Sequence, residues 1–125
     1  MPIIGSGIDL VEVERIERLL DRQKERFLKR VFTDAEVEYC MRKARPAMHL
    51  AARFAAKEAV AKALGTGFTK GIRMRDIEVA AGEEGIPHVR LHGAAAKKYC
   101  ALNGSEILLS LTHTREHALA QAIIS

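Results

Sequence analysis

Between Ala47 and Leu64 the chain reads Ala-Met-His-Leu-Ala-Ala-Arg-Phe-Ala-Ala-Lys-Glu-Ala-Val-Ala-Lys-Ala-Leu, with no helix breaker until Gly65. Alanine is the strongest helix former, so this stretch predicts a long helix. Pro46 separates it from what precedes, and Gly65 supplies the left-handed terminator. Ala52, Ala56, Val60 and Ala63 make one apolar face, while Ala51, Phe54, Ala55 and Ala61 surround Glu58 on the other. A helix apolar nearly all round has to be covered on two sides. In a chain of 125 residues the second cover is expected from another subunit, which would leave Glu58 partly enclosed.

The flanking segments supply the first cover. Ile3 to Leu10 reads as a short strand in which Gly5 and Gly7 allow close backbone approach. Glu12 to about Arg26 is helical by period, with Val13, Ile16, Leu20 and Phe27 on one face. Thr33-Asp-Ala-Glu36 is a capping box that opens a helix with a buried stripe of Val37, Cys40 and Met41. Asp76–Ala80 and Pro87–Leu91 are expected strands across a turn at Gly82-Glu-Glu-Gly85. Ala94–Leu102 is a short helix, and Ile107–Thr112 with Ala118–Ile124 form a hairpin around residues 114–117. That order predicts an α+β fold, an antiparallel sheet packed against a long central helix. With no linker or internal repeat, residues 1–125 are expected to form a single domain.

A net charge of +4 and a pI near 9.3 favour an anionic partner, whether nucleic acid, a nucleotide or an acidic protein. Cys40 and Cys100 are isolated, outside any zinc spacing, and are expected to be reduced. With no secretory leader pattern and no apolar run of membrane-spanning length, the expected location is cytoplasmic, and no membrane partner is expected.

Four groups of residues carry chemistry. Asp9 and Glu58 offer two hard oxygen ligands, which suits Mg²⁺ when substrate phosphates complete the shell. Each also has a plain structural reading: Asp9-Leu-Val-Glu12 is a capping pattern, and Glu58 can pair with Lys62 one turn on. Arg53, Lys57 and Lys62 can neutralise phosphates, with Gly65-Thr66-Gly67 giving backbone amides close access; solvated helix charges and a glycine cap describe them equally well. His113, at a strand end, can bind phosphate or shuttle a proton, whereas His113-x-x-x-His117 is rejected as a zinc pair because it falls in a hairpin. Arg15, Arg18, Arg22 and Arg26 fall on one helical stripe beside Glu14, Glu17, Asp21 and Glu25. The stripe suits an acidic helix or a phosphate backbone, or it is a salt-laced solvated face.

Gly7-Ile-Asp-Leu-Val11, Phe32-Thr-Asp-Ala-Glu36, Arg53-Phe-Ala-Ala-Lys-Glu-Ala-Val-Ala-Lys62 with Gly65-Thr-Gly67, Asp76-Ile-Glu78 and Leu109-Ser-Leu-Thr-His-Thr114 together resemble the holo-[acyl-carrier-protein] synthase family of 4′-phosphopantetheinyl transferases. The resemblance covers nearly the whole chain. It implies transfer of the phosphopantetheine arm of coenzyme A to a serine of an acidic acyl carrier protein, in fatty acid biosynthesis, with release of 3′,5′-ADP. It also implies Mg²⁺ as cofactor, held by Asp9 and Glu58, and a homotrimer with sites between subunits. Lys62 would stabilise the leaving phosphate, and Glu58 or a metal-bound water would take the serine proton. Arg53, Lys57, Gly65, Thr66, Gly67 and His113 would hold the nucleotide, and Arg15, Arg18 and Arg22 would dock the carrier. Two other readings remain: a trimer that binds nucleotide without transferring anything, and a basic nucleic-acid module. The second needs neither carboxylate, has few aromatics for stacking bases, and is not the expected partner class.

Overall fold

The computed structural model describes residues 2–125. It runs β1 (Gly5–Glu12), α1 (Val13–Val31), α2 (Asp34–Met41), α3 (Pro46–Ala63), β2 (Ile77–Ala81), β3 (Pro87–Leu91), α4 (Gly93–Ala101), β4 (Ile107–His113) and β5 (His117–Ile124). Short 3₁₀ turns at Met74–Asp76 and Glu83–Gly85 precede β2 and β3. The α+β expectation holds, but the strands make two sheets. β5 lies between β1 and β4 in one antiparallel sheet, and β2–β3 is a separate hairpin.

The alanines and glycines of the sequence meet each other. The inward face of the three-stranded sheet carries Gly5, Gly7 and Val11 from β1 and Ala118, Ala120, Ala122 and Ile124 from β5. This surface lies directly on α3. A methyl group added at Gly7 would stand 1.9 Å from the Ala59 carbonyl oxygen, and one at Gly5 would stand 2.0 Å from that of Ala63. Backbone therefore rests on backbone along the seam where Asp9 faces Glu58 and Lys62.

The other side of α3 is covered by α1, α2 and β2, through Val13, Ile16, Phe27, Cys40, Ile77 and Val79. Both covers come from the same chain, which corrects the expectation that a second subunit shields this helix. Small side chains thin the sheet–helix layer enough for a short chain to wrap its own centre. The unpartnered apolar surface is elsewhere. On the outward face of the sheet Ile8 is 57% exposed, Leu10 62% and Leu108 52%, flanked by half-buried Leu119 and Ile123.

The capping box of α2 forms in full: the Glu36 amide donates to the Thr33 hydroxyl, and the Thr33 amide donates to the Glu36 carboxylate at 2.9 Å. α1 extends beyond its expected end near Arg26 and kinks at Gln23, whose φ of −136° is not helical. Phe27, Leu28 and Val31 hold the second segment in the core. Among the described residues no helix is long and apolar enough to cross a membrane.

Candidate active site

Strand alternation puts Asp9 on the inward side of β1, opposite Ala120 of β5. Lys62, one turn after Glu58 on α3, donates to the Asp9 carboxylate at 3.2 Å and to the Ile8 carbonyl at 3.0 Å. The Lys62 side chain is half exposed, whereas that of Asp9 is 18% exposed. Burial, and then the Asp9 charge, raise the Glu58 carboxyl above its ordinary value, with Lys62 and Arg15 opposing the shift. Arg15 reaches this region from α1, its guanidinium 5.3 Å from the centre of the Phe54 ring. A cavity of about 320 Å³ lined by Ser6, Gly7, Ile8, Lys62 and Gln121 opens beside Lys62.

These donors fit a hard divalent cation. Among the described residues no group of three His, Cys, Asp or Glu side chains converges, so the protein supplies no closed cage. Glu58 lies near enough to Asp9 for the Asp9 charge to raise its carboxyl, and two such carboxylates match a cation that completes its shell with substrate oxygens.

A second cleft, of about 270 Å³, lies on another side of α3 between Tyr39, His49, Arg53, Gly85, Pro87 and His113. Arg53 is only 6% exposed, with its guanidinium 4.3 Å from the Tyr39 ring centre and its Nε buried without a hydrogen-bond partner. A buried guanidinium N–H that no protein acceptor satisfies is suited to an anionic ligand. The His113 and His49 rings sit edge to face, 5.6 Å apart. Burial, then His113, Lys43 and Arg53, lower the His49 pKa, so His49 stays neutral near pH 7. Sequence reasoning missed His49, although it stands four residues before Arg53 and therefore on the same helix face.

The expected site is thus divided. Asp9, Glu58 and Lys62 come together, as do Arg53 and His113, but the two sets occupy different faces of α3. Lys57 joins neither. It is fully buried, with its ammonium 2.8 Å from Glu36 and donating to the carbonyls of Met74 and Ile77, so it has no reach to a nucleotide. In the turn after α3 the Gly65 amide donates to the Lys62 carbonyl at 2.9 Å and the Gly67 amide to that of Ala61 at 3.1 Å. Those two amides finish the helix, and the Thr66 hydroxyl donates to the Gly67 carbonyl. Arg15, Arg18 and Arg22 are exposed along α1, Arg18 pairing with Glu14 at 3.2 Å. Arg26 lies beyond the Gln23 kink, where the straight-helix phase that aligned it is broken.

Residues 5–122 match the family model described as the 4′-phosphopantetheinyl transferase superfamily. The chain belongs to that superfamily. A holo-[acyl-carrier-protein] synthase of Solibacter usitatus is 46% identical over 98% of each sequence. The crystal structure of the holo-[acyl-carrier-protein] synthase from Neisseria meningitidis superposes with a TM-score of 0.91 at 32% identity, covering 99% of both chains. The Helicobacter pylori synthase, solved in complex with coenzyme A, gives 0.85 at 31% identity over 96% of this chain and 99% of that one. In this superfamily member the shared fold sets Asp9 of β1 against Glu58 and Lys62 of α3.

Proposed function

We propose that residues 1–125 act as one transferase domain that moves the 4′-phosphopantetheine arm of coenzyme A onto a serine of apo acyl carrier protein. The serine oxygen forms a bond to the β-phosphorus, the pyrophosphate P–O bond breaks, and 3′,5′-ADP leaves. The Asp9–Glu58–Lys62 constellation carries this reading: a carboxylate pair and a half-exposed ammonium beside an open cavity.

Asp9 and Glu58 would hold Mg²⁺, which when bound supplies charge neutralisation for the pyrophosphate. Lys62 turns from Asp9 to the leaving phosphate, where a mobile ammonium offsets growing negative charge. Glu58, or a water held by that cation, would accept the serine proton. Arg53 and His113 hold the nucleotide phosphates. Because they stand on a different face of α3 from Glu58, they serve a neighbour's carboxylates in a homotrimer joined through the outward sheet face of Ile8, Leu10 and Leu108. Arg15, Arg18 and Arg22 dock the acidic carrier next to Glu58, with Arg15 nearest.

The test is mass spectrometry of an apo carrier protein incubated with this protein, coenzyme A and Mg²⁺. A mass gain of one phosphopantetheine on the serine is expected. An unmodified carrier, with coenzyme A bound, would leave only a nucleotide-binding trimer.

A further inference from the structure

The buried ion pair Glu36–Lys57 is unused by the chemistry, yet all its bonds are directed. The three Lys57 protons go to Glu36 and to the carbonyls of Met74 and Ile77. Glu36 accepts from Lys57 at 2.8 Å, from the Thr33 amide at 2.9 Å and from the Val79 amide at 2.9 Å. Glu78, next along β2, accepts from the Thr33 hydroxyl at 2.7 Å and meets His92 at 3.1 Å. One ion pair therefore ties α2, α3 and β2 together, in a region where Lys57 is 0% and Glu36 2% exposed.

Each member stands one short step from a wall of the Arg53 cleft. Lys57 lies one turn after Arg53 on α3, Glu36 one turn before Tyr39 on α2, and Val79, which donates to Glu36, two residues before Ala81, which also lines the cleft, on the same side of β2. Replacing such a pair with neutral groups of similar volume is often neutral or stabilising, so stability alone is a weak reason for keeping it. In the cleft wall next to the pair, the Tyr39 ring lies against the Arg53 guanidinium at 4.3 Å.

We propose that Glu36 and Lys57 are positioning residues for nucleotide binding, acting through the Tyr39–Arg53 contact without touching the nucleotide. The proposal rests on the transferase reading, in that it takes the Arg53 cleft as the nucleotide site. Moving the Arg53 guanidinium off its anion weakens charge-assisted hydrogen bonds, so loss of the pair weakens binding where folding is kept.

The experiment compares wild type with the double variant Glu36→Gln/Lys57→Met, both as full chains. Calorimetry reads 3′,5′-ADP affinity, kinetics read the two substrates, and thermal melting reads the fold. Nucleotide affinity should weaken and the coenzyme A KM rise by about tenfold or more, with kcat and the carrier KM near wild type. A folded double variant with unchanged nucleotide affinity overturns the proposal. Tyr39→Leu, at a partly exposed position, gives the same test if the double variant does not fold: its nucleotide affinity should fall and that of Tyr39→Phe should not. Unchanged affinity in Tyr39→Leu also overturns the proposal. A wild type that binds 3′,5′-ADP but transfers nothing overturns the transferase reading and leaves the affinity comparison intact. A wild type that binds neither 3′,5′-ADP nor coenzyme A, and transfers nothing, overturns both.

Discussion

Arg53 and Glu58 stand five residues apart on α3 and about 140° apart around its axis, so the buried cation faces the Tyr39–His113 cleft and the raised carboxylate faces Asp9 on another side. On the proposed assembly, each site takes Glu58 from one subunit and Arg53 from the next. Arg53→Ala and Glu58→Gln should each be nearly inactive alone. Mixed after dissociation and reassembled, they should regain activity, with about a quarter of sites carrying both native residues. Activity in the mixture no greater than in the separate variants would place both residues in one chain's site.

Glu58 also has a cost that can be read by pH. Its folded pKa lies above the ordinary 4.5, so ionisation disfavours the fold. The cost is absent below the unfolded value and complete once pH exceeds the folded one. In metal-free buffer Glu58→Gln should therefore melt above wild type at pH 7, the gap closing as pH falls through the folded value. It should also lose most transferase activity. A Gln variant that melts below wild type at pH 7 would contradict this account.

Gly7→Ala tests the backbone seam. The new methyl meets the Ala59 carbonyl oxygen, which cannot rotate away, so β1 has to move off α3. A loss of about 1–3 kcal/mol is expected from such overpacking. Activity should fall further than the unfolded fraction explains, because the same shift draws Asp9 away from Lys62 and Glu58. Denaturant melts and kinetics on the folded fraction measure the two separately.

On α1, reversing charge at Arg15, Arg18 or Arg22 should raise the carrier KM and leave coenzyme A affinity nearly unchanged. The defect should shrink as salt rises, since exposed charges are screened over about 8–10 Å near physiological ionic strength. Arg26→Glu, beyond the kink, should have the smaller effect. If all three upstream reversals leave the carrier KM at the wild-type value, the stripe is a solvated helix face.

Local signals in the sequence located every long element, because each carries its own period or cap: the Thr33–Glu36 box, the alanines of α3, the alternation of β5. Residue chemistry suggested Asp9 and Glu58 as a pair, but only motif resemblance favoured that over their plain structural readings, since contacts between residues some fifty positions apart leave no local period. Lys57 was misplaced for a physical reason. On an alanine-rich helix a lysine looks solvated, and nothing nearby in sequence announces Glu36, Met74 or Ile77 as acceptors. Assigning two helix faces to one ligand site failed similarly, because spacing along a helix does not reveal which neighbour each face meets.

The two faces of β1 do unlike things: Gly7 and Asp9 turn toward α3, while Ile8 and Leu10 turn outward to the apolar surface. On the proposed assembly, a strand that is half catalytic and half adhesive makes turnover per chain depend on how much protein is in the tube. Serial dilution should then act as an inhibitor, with activity falling faster than concentration and recovering on reconcentration. A cell that lowered the amount of this protein would lose activity out of proportion to the chains it removed.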